Sequence, residues 1–389
     1  VLKGCTAAYD MFFQFPEASL ESISAVAQGY TEVGIRAAIA PMMADTTFYQ
    51  AIPCLLDSLP EPHRAHAEAL QAAPWEAHIE GCRALLQGWP GDRDQVRPAL
   101  GPTIPMHCTD DFILACRDLA WEYEVGLQMH LGESKLQAVA GLKRYGKSLT
   151  AHLDALDFLG PNFTGAHSIW LDDDDVQRLA DRGANVAHNP GSNLRLGNGV
   201  APARRMLDAG VTVGIGTDGS SSGDHQNMVE AMRMAAFASR LMDIEPDSWL
   251  GSWDVLRAGT LGGAALLGMA GQIGRIAPGY KADIAFVDLT NVAFVPLNDA
   301  ANQIVNCADG SAIDSVMIGG RMVLQGRRFT SLNFDGLRRD AQVMADTLRS
   351  RNADTRGQLE AMAEYVSHHC VGLACEGYHA HRRIDEGRA

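Results

Sequence analysis

The 389-residue sequence lacks the patterns that mark membrane, nucleic-acid-binding and disulfide-rich proteins. It contains no run of about 18 apolar residues, so we expect no membrane-spanning segment. Lys and Arg are scattered, and the formal net charge is −15, which leaves no basic face for phosphates and argues against a nucleic-acid partner. The eight cysteines form no CxxC pair and no disulfide-like framework, which favours reduced thiols and a cytoplasmic location.

The length and composition are those of a globular protein with a large core. Apolar residues make up 47% of the chain and charged residues 20%. A chain this long exceeds the usual size of one domain, so it predicts either one large barrel with an appended module or two ordinary domains. The acidic balance fits a small neutral or cationic substrate.

Short apolar runs that end in polar or glycine-rich residues recur through the first two thirds of the chain, and helix-like stretches separate them. The predicted strands are Leu2–Asp10, Gly34–Met43, Val96–Pro105, Gly126–Glu133, Phe163–Trp170, Asn185–Pro190 and Val211–Asp218. The predicted helices include Ser19–Val33, Asp110–Tyr123, Leu136–Leu159, Asp172–Arg182 and Ala201–Ala209. This alternation predicts an α/β fold, a (β/α)8 TIM-type barrel that lacks its first strand, with a doubly wound sheet as the alternative.

Three segments depart from the strand and helix alternation. Residues 44–93 form an insertion too long for a simple loop, which we expect to be a lid or substrate wall, or a helix that decorates the outside. Turn residues and alternating strands after residue 269 predict a small β module over 270–330. The Arg-, Glu- and Ala-rich remainder predicts a helical extension over 331–389. Residues 1–269 would then form the barrel.

Four polar groups lie at or just after the ends of predicted strands. They are His130 and Glu133 in QMHLGE, His167 in GAHS and Asp218 in GTDG. Barrel enzymes place their chemistry at the carboxyl ends of the strands, so these side chains are expected to meet. Any one of them alone is as compatible with a structural role, since a strand-end histidine is often only hydrogen-bonded and Asp-Gly is a common turn.

This combination of residue types predicts a metal-dependent hydrolase. A divalent ion takes imidazole and carboxylate ligands from different strands and keeps one position open for water, and His130 and Asp218 could supply two ligands. Binding lowers the pKa of the water to about 7, so that hydroxide forms at neutral pH. Asp218 could accept the water proton, and Glu133 could protonate a ring nitrogen and the leaving amine.

The order HLGE, GAH, HNPGSNLRLGNG and GTDG resembles the amidohydrolase superfamily, in the branch of cytosine and guanine deaminases and triazine hydrolases. The resemblance runs from about Val1 to Gly326. It implies a barrel with an added β-sandwich, one divalent metal ion (zinc, with iron as an alternative), and hydrolysis of a small nitrogen heterocycle. It also implies roles for four residues, with His130 as metal ligand, Glu133 as acid and base, His167 as water or substrate ligand, and Asp218 as both ligand and base.

The seventh-strand motif and the segment after His167 supply candidate substrate contacts. Asn193 and Arg195 could orient a heterocycle, although Asn193 is equally what a tight turn requires. Trp170 could form an aromatic wall of a largely apolar pocket or pack in the core. The expected reaction is deamination of a purine, pterin, pyrimidine or triazine-like ring, by a protein expected to be a homo-oligomer. A chlorohydrolase or a cyclic amide hydrolase of the same family is the alternative.

One departure from the family pattern concerns the first strand. Family members open with a first-strand His-x-His that supplies two metal ligands, whereas the only His-x-His in this chain is His379-Ala380-His381 in the tail. The seven-strand count agrees, so we expect an N-terminally truncated barrel. Expressed alone, such a chain would bind metal weakly and show no deaminase activity. A catalytically inactive barrel is therefore a further alternative.

Overall fold

The computed structural model describes residues 1–14, 18–224 and 226–383. Its main sheet has seven strands that pair in parallel and in chain order. These strands are β1 (Ala7–Phe13), β2 (Arg36–Met43), β3 (Val96–Pro102), β4 (Gly126–Leu131), β5 (Phe163–His167), β6 (Asn185–His188) and β7 (Thr212–Ile215). Each one lies within or overlaps a predicted strand, so the predicted α/β class is confirmed.

Helices follow the strands and cover the sheet. Those of the sheet region are α1 (Leu20–Val33), α2 (Phe48–Ala51), α3 (Leu55–Ser58), α4 (His63–Ala69), α5 (Trp75–Gln87), α6 (Asp110–Glu122), α7 (Lys135–Tyr145), α8 (Leu149–Ala155), α9 (Asp173–Asp181), α10 (Pro190–Arg195), α11 (Ala203–Asp208), α12 (Met228–Ser239), α13 (Ser252–Arg257) and α14 (Gly263–Leu266). Side-chain caps start several of them: Ser19, Thr109 and Asp172 each accept a hydrogen bond from a backbone N–H of the first turn.

The single helix predicted over Leu136–Leu159 is two helices in the structure. Helix α7 ends at Gly146, whose φ of 68° lies in the left-handed region. Ser148 then caps α8 by accepting a hydrogen bond from the N–H of Ala151. Glycine after a helix and serine before the next are the usual stop and start signals, and the apolar periodicity continues across the break.

The insertion over 44–93 consists of the four helices α2–α5 and packs on the main core. Leu55, Cys82 and Leu86 are buried in the same apolar cluster as the strand residues Leu100 and Leu127. At the carboxyl edge of the sheet the ring of Phe48 lies 6.1 Å from that of His107. This part of the insertion therefore lies next to the end of β3.

The β module is a four-stranded antiparallel sheet in the order β11-β10-β9-β8. Its elements are β8 (Ile284–Val287), α15 (Ala300–Asn306), β9 (Ile313–Ile318), β10 (Arg321–Gln325) and β11 (Arg328–Phe329). A buried ion pair joins it to the main sheet, with Arg36 Nε 2.7 Å from Asp283 Oδ2 and Arg36 Nη2 3.0 Å from Oδ1. The bidentate geometry satisfies both buried charges.

Two long helices follow the module, α16 (Phe334–Arg351) and α17 (Ala353–Ala374). Helix α16 has no buried residue, whereas α17 buries Met362 and Leu373 against the sheet domain. Within the described ranges, no helix is both long and apolar enough to cross a membrane. The predicted boundaries at 269/270 and 330/331 stay predictions.

Candidate active site

The four predicted residues come together at the carboxyl edge of the parallel sheet. His130 lies at the end of β4, His167 ends β5, and Asp218 follows β7. Three of the strand ends turn through left-handed backbone: φ is 54° at Gly132, 67° at His167 and 58° at Asp218. This conformation is sterically unfavourable for a non-glycine residue. Residues strained in this way are found most often at functional sites.

His130 is fixed by the backbone of the neighbouring strand end. Its Nδ1 lies 2.8 Å from the carbonyl oxygen of Thr103, so Nδ1 donates and Nε2 keeps its lone pair. Burial and the nearby His167 lower the pKa of His130, although the carboxylate of Glu133 acts in the opposite direction. The imidazole is therefore held neutral, the form that binds metal.

His167 is buried at the centre of the group. Its Nδ1 lies 2.9 Å from Asn193 Oδ1, which fixes the tautomer and directs the free Nε2 toward two carboxylates. This Nε2 lies 3.9 Å from Glu133 Oε1 and 3.9 Å from Asp218 Oδ2. The His130 and His167 rings are stacked with centroids 5.5 Å apart. The two carboxylates thus flank one imidazole nitrogen.

Glu133 is partly exposed and is held by two amide side chains. Its Oε2 accepts a hydrogen bond from Gln137 Nε2 at 3.4 Å, and its Oε1 accepts one from Asn198 Nδ2 at 3.3 Å. The Glu133 N–H in turn donates to Gln137 Oε1 at 3.1 Å. These contacts keep the carboxylate at the site while one face stays open to solvent.

Asp218 is held in its ionised form. Burial by itself would raise the pKa of Asp218, but the Ser192 hydroxyl, His167 and the Gly219 N–H together bring the pKa below its usual value. The Gly219 N–H donates to Asp218 Oδ1 at 2.6 Å, whereas the Ser192 hydroxyl lies close without a hydrogen bond of good geometry. At neutral pH this carboxylate can bind a cation or accept a proton.

The donor types at this edge suit a divalent metal ion, but their number is small. His130 and His167 each have Nδ1 fixed by an oxygen acceptor, the arrangement that surrounds metal-bound histidine. Asp218 adds an ionised carboxylate. Within the described part of the chain, no three or more His, Cys, Asp or Glu side chains are grouped so that they could hold a metal ion. The residues fit part of a metal centre.

The three predicted substrate residues lie in different environments. Asn193 is buried and pairs with His167. Trp170 is 1% exposed, and its Nε1 donates to the carbonyl oxygen of Asn198 at 2.8 Å. Arg195 is half exposed and paired with Asp224 on the surface. Contact of each of them with a substrate stays a prediction.

Sequence patterns did not single out four further residues of this edge. Gln137 and Asn198 hold Glu133, and Gln137 had a sequence signal because it follows Glu133 by one helical turn. His107 and His188 lie near His130 and His167, and burial, with a smaller contribution from those neighbours, lowers each pKa to about 4. His188 opens the HNPGSNLRLGNG motif but was given no role there, and His107 stands in no quoted motif, so only the fold places them at this edge.

Imidazoles and carboxylates that meet at the carboxyl edge of a parallel α/β sheet are the layout of a hydrolytic enzyme. The model of the amidohydrolase family matches residues 1–323 of this chain. The chain therefore belongs to the amidohydrolase family, and it is a hydrolase by family membership. This confirms the family that the strand-end motifs indicated.

Among curated proteins, the chain is 31% identical over 324 residues to a 5-methylthioadenosine/S-adenosylhomocysteine deaminase of Syntrophobacter fumaroxidans. The match covers 83% of this chain and 69% of the relative. Across the curated relatives, which also include proteins named 5′-deoxyadenosine deaminase, this chain spans from 60% to 73% of their length. For several of them the share is below two thirds.

Two solved structures share the fold. An adenosine deaminase from Xanthomonas campestris with bound zinc superposes with a TM-score of 0.77 at 26% identity, over 90% of this chain and 72% of its own. The atrazine chlorohydrolase of Arthrobacter aurescens complexed with zinc gives a TM-score of 0.79 at 28% identity, over 88% and 73%. Both neighbours thus contain the metal that the donor types here would suit.

Proposed function

We propose that the protein is a metal-dependent hydrolytic deaminase whose substrates are adenosine nucleosides modified at the 5′ position. The observation that carries the proposal is the placement of Glu133 and Asp218 on either side of His167 Nε2, each at 3.9 Å. A deaminase needs one group to take a proton from water and another to protonate the ring and the departing amine. The names of the curated relatives supply the class of substrate.

His130 and Asp218 are the residues that would hold the metal ion, zinc or alternatively iron, and the ion would make water nucleophilic at neutral pH. The donor types support this assignment, and the zinc in the related structures agrees with it. A complete (β/α)8 barrel would place both residues at one mouth. We propose that architecture for the whole protein.

The chain's own residues divide the proton transfers. Asp218, ionised at neutral pH, accepts one proton from the attacking water while Glu133 delivers a proton to the ring nitrogen, and a C–O bond forms at the amino-bearing carbon. The Glu133 carboxylate then takes the second water proton from the new hydroxyl group and passes it to the amine, so that the C–N bond breaks, ammonia leaves and a carbonyl group remains. The proton on Asp218 returns to Glu133 through solvent, which restores both groups. His167 Nδ1 donates to Asn193 Oδ1. The other ring nitrogen, Nε2, can therefore accept a hydrogen bond from water or substrate.

The remaining assignments are finer proposals. Asn193 would act through His167, whereas Trp170 and Arg195 would line or close the substrate pocket. The protein would bind a small molecule and assemble as a homo-oligomer. The exposed helix α16, which has no buried residue, is one surface that such an assembly could cover.

Dechlorination of a triazine is the second candidate. The fold match to atrazine chlorohydrolase favours it, because its TM-score of 0.79 is slightly above the 0.77 of the adenosine deaminase. Proton removal from water by Asp218 and protonation of the ring nitrogen by Glu133 would serve both reactions, since water attacks a ring carbon in each, whereas chloride leaves as an anion and needs no proton.

A substrate panel separates the two reactions. The protein, produced as its gene encodes it and supplied with zinc, is assayed with 5′-deoxyadenosine, 5-methylthioadenosine, adenosine and atrazine. Ammonia and chloride release are both measured. We expect ammonia from the 5′-modified nucleosides at a kcat/KM of at least about 10⁴ M⁻¹s⁻¹. Chloride release without ammonia would favour the second candidate. If neither ammonia nor chloride is released, both candidate functions are contradicted.

A further inference from the structure

The last described residues of the chain lie across the loops that carry the site. We call Tyr378–Arg383 the C-terminal strap. His379 Nε2 lies 2.6 Å from Asp172 Oδ2, and the Arg383 guanidinium donates to the carbonyl oxygen of Gly197 at 2.7 Å. These contacts join the strap to the loop after β5 and to the loop after β6.

Arg382 is the buried centre of the strap, with 6% of the residue exposed. Its Nε donates to the carbonyl oxygen of Ile169 at 2.9 Å, and its Nη2 donates to that of Leu171. Its own carbonyl oxygen accepts a hydrogen bond from the Val200 N–H at 2.9 Å. One residue therefore holds the backbone of both loops.

The loop after β6 is shaped to receive the strap. Gly199 has a φ of 119°, a conformation that side chains rarely allow, and a Cβ there would lie 2.7 Å from the carbonyl oxygen of Arg382. A non-glycine residue would therefore push the strap away. Glycine at position 199 is therefore explained by the backbone conformation and the close approach of the strap, independently of any substrate contact.

Both loops contact Glu133 or its backbone neighbour. Asn198, two residues before Val200, donates from Nδ2 to Glu133 Oε1 at 3.3 Å. The N–H groups of Ile169 and Trp170 donate to the carbonyl oxygen of Gly132 at 3.1 and 2.8 Å. The Trp170 indole also donates to the Asn198 carbonyl oxygen, which links the two loops to each other.

We infer that Arg382 is a positioning residue, which acts through these two loops to hold the Glu133 carboxylate where it transfers protons. The inference rests on the proposed function, because it assigns Glu133 the acid and base role. A displacement of about 1 Å at a reacting group can cost about a hundredfold in rate. Loss of the strap is therefore expected to lower kcat more than substrate affinity.

The test compares Arg382→Met with Arg383→Met in the full protein. The first variant keeps the apolar stem and removes the donors to Ile169 and Leu171. The second removes an exposed neighbour that donates one hydrogen bond to Gly197 and lies over the Trp170 ring, 6.0 Å from its centroid, without holding the loop backbone from a buried position. For Arg382→Met we expect kcat to fall by about 10- to 100-fold with KM changed by less than about threefold. For Arg383→Met we expect less than about a twofold change in kcat. Arg382→Lys should recover part of the loss.

A second comparison shows whether the effect passes through Glu133. In a Glu133→Gln background, Arg382→Met should lower kcat no further, because the group it positions has already lost its proton chemistry. If the two effects multiply, or if kcat of Arg382→Met stays within about twofold of the wild type, the inference is wrong.

Amide hydrogen exchange tests the strap separately from the reaction. Arg382→Met should reduce protection at Val200 and across residues 168–171, while β2 and β8 exchange as in the wild type. Unchanged exchange at these loops would overturn the inference even in an active enzyme. If the wild type releases no ammonia, the proposed function fails by itself, and hydrogen exchange still decides whether Arg382 fixes the loops around Glu133.

Discussion

The carboxyl edge of the parallel sheet and the antiparallel β module differ in how many of their buried polar side-chain atoms are paired. At the edge, three buried side-chain atoms have no hydrogen-bond partner: His188 Nδ1, Ser192 Oγ and Asn193 Nδ2. In the module, the described strands β8–β11 have no such atom and helix α15 has one, Asn306 Oδ1. Near the module, Asp283 accepts bonds from both Arg36 and the Gly319 N–H.

This difference separates stability from function within one chain. An unsatisfied buried polar group costs roughly 1–3 kcal/mol, and three of them at one edge leave polar atoms there with which a ligand can pair. The left-handed backbone at His167 and Asp218 places conformational strain at the same edge. At the junction with the module, the buried charges of Arg36 and Asp283 are instead paired.

The largest effect is expected at Glu133. Glu133→Gln should lower turnover by roughly two to four orders of magnitude, the range for losing a general acid and base. The amide retains the size of the side chain, so bound metal should stay at the wild-type level. Steady-state kinetics and elemental analysis of the same preparation check this.

Glu124→Gln is the matched control, because Glu124 is exposed and precedes the opposite end of β4. It should leave turnover unchanged. Full activity in Glu133→Gln would remove Glu133 from the mechanism. Loss of metal together with activity would make Glu133 a ligand instead.

The junction between sheet and module should affect stability without affecting chemistry. Arg36→Ala leaves the carboxylate of Asp283 buried and unpaired, and the free energy of unfolding should fall by roughly 3–5 kcal/mol. Lys281→Ala breaks an exposed pair with Asp94 across the same junction and should cost less than about 1 kcal/mol. Urea unfolding measures both, and equal effects would show that burial does not distinguish the pairs.

A smaller catalytic effect is expected from the partner of His167. Asn193→Leu removes the acceptor of the Nδ1 proton, so the imidazole can adopt either tautomer. Activity or metal affinity should fall by roughly 10- to 100-fold. Asn302→Leu, at an exposed position of α15, is the control and should change neither. Wild-type kinetics in Asn193→Leu would contradict the positioning role.

The smallest expected effect is on the pH dependence of stability in mildly acidic solution. Burial lowers the pKa of His107 and His188 to about 4, below the ordinary histidine value of about 6.5. Between these values the unfolded chain binds protons that the folded chain does not, so stability falls as pH decreases from 6.5 toward 4. The slope should be on the order of 1 kcal/mol per pH unit for each group.

The His188→Asn variant of the metal-free protein should show a flatter dependence of unfolding free energy on pH. His368→Asn, at an exposed position of α17, should retain the wild-type dependence. Parallel curves for all three proteins would show that His188 titrates normally in the folded state.

The sequence predicted the strands because alternation between apolar runs and helix signals repeats locally. All seven predicted strands were found. The break at Gly146 was missed because one glycine did not interrupt the apolar periodicity on either side of it. The ends of β3 to β7 were predicted too late, and β5, for example, stops at His167, where left-handed backbone turns the chain.

The site was predictable where a motif and a strand end coincide, as at His130, Glu133, His167 and Asp218. Asn198 was quoted only as part of a loop motif, because its contact with Glu133 joins residues 65 apart in sequence. Arg382 could not be found at all, since its contacts with Ile169 and Leu171 span more than 200 residues. Pairings at this separation depend on the completed fold.

The central claim is that His130 and Asp218 would hold one divalent ion at the site to which Glu133 belongs. Elemental analysis after growth with zinc and iron tests it most directly. The protein, as its gene encodes it, should carry about one transition-metal ion per chain. His130→Ala and Asp218→Ala should lose most of that metal, while Glu133→Gln should keep it. Less than about a tenth of an equivalent in the wild type, or full metal content in both ligand variants, would contradict the account.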